Sequence, residues 1–142
     1  MRERKVECSY PTGSFQMATE TKSVNAKAED EVKADAVRTW DPAAFRETFH
    51  PAANVAHYYV KGDQIKTITL DQFVETIGSL HAKYDNAEEK ASDIDVWIVD
   101  HIASVRVPFR FIMGDKAMEG QDLFNLARCG GEWKIIHKSY YL

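Results

Sequence analysis

The clearest hydrophobic pattern in the chain is a strict alternation between residues 103 and 111. Every second position there is apolar, with mostly polar or charged residues between, and the apolar set is Ala103, Val105, Val107, Phe109 and Phe111. A period of two predicts a β-strand with one face against a core. Similar stretches separated by Gly114-Asp115 and Gly130-Gly131 predict strands at about 91–100, 102–113, 116–127 and 133–141.

Helical spacing predicts two helices in the first fifty residues. The first is expected over about 28–40, where the apolar positions are Val32, Ala36, Val37 and Trp40. The second is short and follows Asp41-Pro42, because Asp suits the N-cap and Pro suits the first helical position. It should end near His50, since the next residue is a proline.

A hairpin and a third helix are predicted next. Strands at about 55–60 and 65–70 flank Gly62-Asp63, a typical hairpin turn. Thr69 and Gln72 then have the spacing of a capping box, and the apolar stripe that follows is Phe73, Ile77, Leu80 and Tyr84. Three helices in the N-terminal half and an antiparallel sheet predict an α+β fold.

Length and composition indicate one domain. The chain has 142 residues, 44% of them apolar, which suits a single core. We expect a flexible tail over residues 1–27, with Met17 a possible natural start, and one folded domain over 28–142. The net charge of −4, without a basic stripe, argues against nucleic acid as a partner.

Location and redox state are also expectations from the sequence. No apolar run is long enough for a signal peptide or a membrane span, so we expect a cytoplasmic protein that does not enter membranes. Cys8 and Cys129 lie far apart without metal-ligand spacing, and both are expected to be reduced. The five histidines show no spacing typical of a metal site, and no Gly-rich phosphate loop indicates a nucleotide cofactor.

Strand register predicts a polar pair inside the fold. Asp122 is the one carboxylate in the apolar set of its strand, and His137 belongs to the uncharged set of the last strand. A two-residue turn at 114–115 pairs Val107 with Asp122. Pairing Leu126 with Trp133 across the next turn then puts Asp122 opposite His137, within hydrogen-bonding reach.

This predicted pair has two interpretations that the sequence leaves open. A carboxylate beside apolar residues is costly to bury unless it has a partner, and such pairs serve as general acids and bases. The catalytic candidates are therefore Asp122 and His137. The alternative is a structural pair that only fixes the register.

Candidate ligand-binding residues surround this predicted pair. They are His57 and Tyr59 at the pocket mouth, Trp97 as a stacking platform, and Val107, Phe124 and Tyr141 in the predicted inward sets. For His57 and Tyr59 the alternative is ordinary hydrogen bonding within a strand, and for Trp97 it is packing.

Several segments together resemble a known superfamily. They are Phe49-His50-Pro51, Ala103-Ser104-Val105-Arg106-Val107, Asp122-Leu123-Phe124-Asn125-Leu126 and Trp133-Lys134-Ile135-Ile136-His137-Lys138. The chain resembles the nuclear-transport-factor-2-like (NTF2-like, SnoaL-like) superfamily, in particular its putative lumazine-binding branch, over about residues 28–142. The resemblance implies a cone-shaped curved sheet wrapped over helices, an internal pocket and frequent dimerisation through the outer sheet face.

The resemblance implies a range of functions. The superfamily contains ketosteroid isomerases, scytalone dehydratase, polyketide cyclases and epoxide hydrolases, and also binding modules without catalysis, so fold leaves function open. We expect a homodimer that binds a small apolar or aromatic molecule and catalyses acid–base isomerisation, dehydration or cyclisation. The alternative is a non-catalytic ligand carrier or protein-interaction module.

Overall fold

The computed structural model describes residues 18–37 and 42–142. Three helices and seven strands make up this part of the chain. The helices are α1 (Ala18–Val37), α2 (Phe45–Thr48) and α3 (Leu70–Lys83). The strands are β1 (Phe49–Tyr59), β2 (Gln64–Thr69), β3 (Glu88–Ala91), β4 (Asp95–Val99), β5 (Ile102–Met113), β6 (Lys116–Cys129) and β7 (Glu132–Tyr141).

The seven strands form one curved, unclosed sheet in the order β2-β1-β7-β6-β5-β3, with β4 also paired to β5. All pairs are antiparallel except β1 and β7, which run parallel. The predicted α+β cone is confirmed. The strand predicted over about 91–100 corresponds to β4, and the short strand β3 before it was not predicted. The gap between β3 and β4 lies beside Pro108, which has no N–H to donate to a ladder.

The helices cover one face of the sheet, here called the inner face. It carries the alternating apolar residues of β5, from Ala103 to Phe111, all of them buried as predicted. Phe45, Phe49 and Phe73 form an aromatic cluster between helices and sheet, with ring centroids 5.6 to 6.2 Å apart. This cluster fixes α3 across the inner face.

Local signals predicted the middle of the chain well. Thr69 and Gln72 form the predicted capping box. The Gln72 backbone N–H donates to the Thr69 hydroxyl at 3.2 Å, and the Thr69 backbone N–H donates to Oε1 of Gln72 at 3.0 Å. The hairpin is also confirmed, with Tyr59 opposite Gln64. Asp63 takes the left-handed conformation in this turn, at φ 46°.

The first two helices differ from their predicted bounds. Helix α1 begins at Ala18, so the helical segment includes residues assigned above to the tail. Helix α2 ends at Thr48, and Phe49 already belongs to β1 because it pairs with Ile135. Residues 1–17 of the predicted tail, and Trp40 and Asp41, lie outside the described residues.

Cys129 is disulfide-bonded, so the expectation of a reduced thiol at this position is wrong. Cys8 lies outside the described residues. The cysteines therefore do not support the predicted intracellular location. Within 18–37 and 42–142, no helix combines the length and the apolar character needed to cross a membrane.

Candidate functional site

The pairing of β5 with β6 matches the predicted register throughout. Val107 lies opposite Asp122, and Asp122 is 1% exposed on the inner face. A two-residue turn at Gly114-Asp115 sets this register, with Met113 opposite Lys116. The alternation in sequence therefore placed Asp122 correctly.

The pairing of β6 with β7 does not match the predicted register. Leu126 lies opposite Ile135, and Asn125 then lies opposite His137, so Ile136 is an extra residue that forms a β-bulge. The predicted pairing of Asp122 with His137 is wrong. Tyr140 is the residue directly opposite Asp122.

The bulge exchanges the two faces of β7. Before it, Trp133 and Ile135 are buried on the inner face, and after it the inner positions are Lys138 and Tyr140. His137 lies on the outer face, where its Nδ1 contacts Oδ1 of Asn54. His137 therefore does not share a site with Asp122.

Lys138 is the charged partner of Asp122. Its Nζ lies 3.5 Å from Oδ1 of Asp122, and the two side chains are 4% and 1% exposed. Neither carboxyl oxygen of Asp122 has a hydrogen-bond partner among the described residues. A buried ion pair whose carboxylate oxygens are not fully hydrogen-bonded is costly.

Three aromatic rings surround the ammonium group of Lys138. Its Nζ lies 4.9 Å from the ring centroid of Phe73, 5.2 Å from Tyr140 and 5.3 Å from Phe124. A cation at these distances from ring faces is stabilised electrostatically. Helix α3 supplies Phe73, and thus the site needs both helix and sheet.

Burial raises the pKa of Asp122 from its ordinary 3.8 to about 7. The Lys138 ammonium opposes this shift, and the carboxyl of Glu89 on β3 adds to it. Burial also raises the pKa of the Tyr140 phenol, so this group stays protonated at neutral pH. The carboxyl of Asp122 therefore changes its charge near neutral pH.

A small cavity of about 60 Å³, here called the inner pocket, adjoins the ion pair. Its apolar walls are Phe73, Ile77, Leu80, Phe109, Phe111 and Leu142, and its polar residues are Thr76, Glu89, Asp122, Lys138 and Tyr140. The space exceeds what one water needs. The arrangement combines an apolar enclosure with a proton-exchanging carboxyl and a cation.

Four of the predicted ligand-binding residues lie on the inner face. The imidazole of His57 stacks on Tyr59 at 3.9 Å and on Tyr140 at 4.3 Å, and of these three rings only Tyr140 lines the inner pocket. Burial lowers the pKa of His57, with a smaller contribution from Lys66. Val107 and Phe124 are core residues, one opposite Asp122 and one against Lys138.

Trp97 and Tyr141 lie on the outer face and do not join these residues. Trp97 is 62% exposed and lies opposite Ser104 on β5. Tyr141 is 41% exposed, and its predicted inward position is wrong because the bulge at Ile136 shifts the alternation of β7. Neither residue lines the inner pocket.

The sequence analysis missed Glu89, Lys138 and Tyr140. One signal could have indicated Lys138, because a buried carboxylate requires a counter-charge and Lys138 is in the neighbouring strand. Glu89 lies on the short edge strand β3, where the sequence alternation is weak. The position of Glu89 beside Asp122 depends on the pairing of distant strands, which the sequence pattern does not show.

A family model described as putative lumazine-binding matches residues 20–141. The chain belongs to this family. The match covers all of β1 to β7 and most of α1, so it includes every residue of the inner pocket except Leu142. No curated protein matches the chain.

Solved structures confirm the NTF2-like fold of this family member. An NTF2-like protein of unknown function from Shewanella baltica OS155 is 19% identical over 89% of this chain and 96% of that chain, with a TM-score of 0.59. A putative scytalone dehydratase from Novosphingobium aromaticivorans DSM 12444 is 17% identical over 86% of each chain, with a TM-score of 0.63. At these identities the similarity shows the fold alone.

Proposed function

We propose that the inner pocket binds a small, largely apolar carbonyl compound and that Asp122 and Lys138 transfer its protons. The observation that carries this proposal is the buried ion pair at the wall of the cavity, 3.5 Å from Nζ to Oδ1. An apolar pocket with a few convergent polar groups is the usual form of a small-molecule site.

The ion pair is better explained by function than by stability. Replacing a buried ion pair with apolar residues often leaves a protein equally or more stable, so stability alone is a weak reason for such a pair. Its Asp122 carboxyl has a pKa raised to about 7, close to the value that suits a general acid or base at neutral pH. Both features favour proton transfer.

The chemistry follows from the two partners. The carboxylate of Asp122 would remove a proton from the carbon next to the carbonyl group, and the ammonium group of Lys138 would donate a hydrogen bond to the carbonyl oxygen as negative charge develops. Return of the proton to another carbon isomerises the substrate. Glu89, half-buried at the pocket, would exchange protons between Asp122 and water.

The family and its structural relatives support a small organic ligand. The family is described as putative lumazine-binding, lumazine being a planar heterocycle, and one structural neighbour is named as a putative scytalone dehydratase. The stacked rings of His57, Tyr59 and Tyr140 offer a flat surface beside the pocket. A planar ligand of that size needs the pocket to widen, because drug-sized sites measure about 300–1,000 Å³.

The proton-transfer proposal is tested by deuterium incorporation into cyclohexanone in D₂O, followed by NMR. We expect the protein to accelerate exchange of the α-protons, and Asp122→Asn to slow it by roughly 100-fold or more. Glu119→Gln is the matched control, because Glu119 is an exposed carboxylate on the same strand. Saturable ligand binding without any exchange would favour the non-catalytic carrier instead.

We also propose that the outer sheet face forms a homodimer. Large apolar side chains are exposed on it, namely Trp97 (62%), Leu123 (54%), Tyr141 (41%) and Ile136 (40%). A contiguous exposed apolar surface is typical of an interaction site. A dimer peak in light scattering at micromolar concentration would support this, and a monomer would contradict it.

A further inference from the structure

We propose that Lys138 forms a Schiff base with a small aldehyde in the inner pocket. This inference rests on the proposed function in placing a carbonyl ligand beside the ion pair. It goes further because it makes the amine a covalent nucleophile. An exposed lysine would not suffice, since reactive lysines are desolvated and held beside acid–base groups.

The surroundings of Lys138 meet these requirements. Its side chain is 4% exposed and its Nζ is enclosed by the rings of Phe73, Phe124 and Tyr140. The carboxyl of Asp122 lies 3.5 Å from this Nζ. Both residues line the same cavity, so a carbonyl carbon placed there would lie beside amine and acid together.

Proton transfer from Lys138 to Asp122 prepares the nucleophile. It converts the ammonium–carboxylate pair into an amine and a carboxylic acid. The other ionisable groups at the pocket are Glu89 and Tyr140. The carboxyl of Asp122 can hold this proton near neutrality because burial raises its pKa to about 7.

The reaction then proceeds in two balanced steps. The amine nitrogen bonds to the aldehyde carbon while the carbonyl oxygen takes the proton from Asp122, and the nitrogen returns a proton to the carboxylate, which gives a carbinolamine. The C–O bond then breaks, the oxygen leaves as water with the proton from Asp122, and the nitrogen again loses a proton to the carboxylate. Amine and aldehyde thus give imine and water, and Asp122 is regenerated.

The size of the cavity selects the class of carbonyl compound. About 60 Å³ accommodates a molecule of a few heavy atoms without movement of α3, whereas a ring such as cyclohexanone requires the surrounding side chains to move apart. Small aliphatic aldehydes fit this limit and are more electrophilic than ketones. Acetaldehyde is therefore a suitable probe.

Lys134 provides an internal comparison in the same strand. Its side chain is 25% exposed, and its ammonium group contacts Glu132 at 3.5 Å and donates to the backbone carbonyl of Glu47. Among residues 18–37 and 42–142, no aromatic ring lies over this ammonium group as three rings do at Lys138. Lys134 is therefore less desolvated than Lys138, and we expect it to react more slowly.

The test is reductive trapping in the full chain. The protein is incubated with acetaldehyde and sodium cyanoborohydride, whose hydride reduces an imine to a stable ethylamine, and peptides are analysed by mass spectrometry. We expect ethylation of Lys138 before Lys134, and a rate at Lys138 reduced roughly 100-fold in Asp122→Asn. Circular dichroism checks the fold of this variant.

Ethylation of exposed lysines with Lys138 unmodified in the folded wild-type protein would overturn the inference, whatever the variant does. Equal rates at Lys138 in wild type and Asp122→Asn would also overturn it, because the acid would then have no role. Failure of the proposed function would give a different experimental result. In that case cyclohexanone exchange would not depend on Asp122, whereas failure of this inference alone leaves that exchange intact.

Discussion

Asp122 and Lys138 face each other diagonally across β6 and β7, with 3.5 Å between Oδ1 and Nζ and both side chains at least 96% buried. Tyr140 is directly opposite Asp122, and Phe124 is directly opposite Lys138. Long side chains reach such diagonal neighbours in a sheet. The relationship defines the site, because it joins a carboxyl with a raised pKa to a cation at the wall of an apolar cavity.

Removing both charges should not destabilise the fold. We expect the double variant Asp122→Leu with Lys138→Met to match the wild type or exceed it by about 1–4 kcal/mol in free energy of unfolding. Each single variant should lose about 3–5 kcal/mol, since it leaves one buried charge unpaired. Urea denaturation measures the free energy of unfolding of the double variant and of the two single variants. A double variant as unstable as the single ones would mean that the pair is structural.

The free energy of unfolding should decrease as pH rises, because Asp122 has a raised pKa in the folded protein. The unfolded chain releases this proton near pH 3.8 and the folded protein near 7, so the contribution is fully present below about pH 4 and is lost as pH rises to 7. Glu89, Lys138 and Tyr140 are the other ionisable groups at the pocket. We expect the free energy of unfolding of wild type minus that of Asp122→Asn to fall by a few kcal/mol over this interval. A flat difference would contradict the raised pKa.

The outer position of His137 gives a contrasting prediction. His137→Gln should leave α-proton exchange in cyclohexanone unchanged, because its ring contacts Asn54 on the face opposite Asp122. Kinetics of exchange with the purified variant measure this. A loss as large as that of Asp122→Asn would indicate that His137 reaches the inner pocket.

Association should depend on Leu123. Leu123→Lys introduces a charge on the exposed apolar surface and should weaken the proposed dimer, while the inner pocket stays intact because Leu123 and Asp122 point to opposite faces. Ser79→Lys is the control, since it adds the same charge at an exposed position of helix α3. Sedimentation of both variants tests this, and equal weakening by both would exclude a specific role for Leu123.

Gly120 should not tolerate a side chain. A Cβ atom there would lie 2.2 Å from the carbonyl oxygen of Tyr141 and 2.7 Å from Cζ of Phe109. Gly120→Ala should therefore destabilise the protein by about 1–3 kcal/mol, the usual effect of overpacking. Thermal unfolding measures it. An unchanged midpoint would show that the backbone after Tyr141 moves aside without cost.

The sequence predicted β5 and β6 fully because both strands alternate without interruption around a two-residue turn. It could not predict the register of β7 for two reasons. A slip of two residues, such as pairing Leu126 with Trp133 instead of Ile135, leaves every side chain on its face and is invisible to alternation. The bulge at Ile136 then exchanges the faces, and the apolar pair Ile135-Ile136 gives no sign of it.

One of the two charged residues of the candidate site was therefore predicted from the sequence. Asp122 was identified because it is the one carboxylate in an apolar set. Lys138 was not identified, since a lysine in an alternating strand normally reaches solvent. Only the three-dimensional arrangement places it in contact with Phe73 of α3.

The protonation of Asp122 can be measured directly by NMR titration of its side-chain carboxyl carbon in the folded protein. The buried pair in the inner pocket predicts a midpoint near pH 7, far above the ordinary 3.8, and a further rise when Lys138→Met removes the opposing charge. A midpoint near 3.8 that does not respond to Lys138→Met would show a solvated carboxylate, and would contradict the assignment of Asp122 and Lys138 as the acid–base centre.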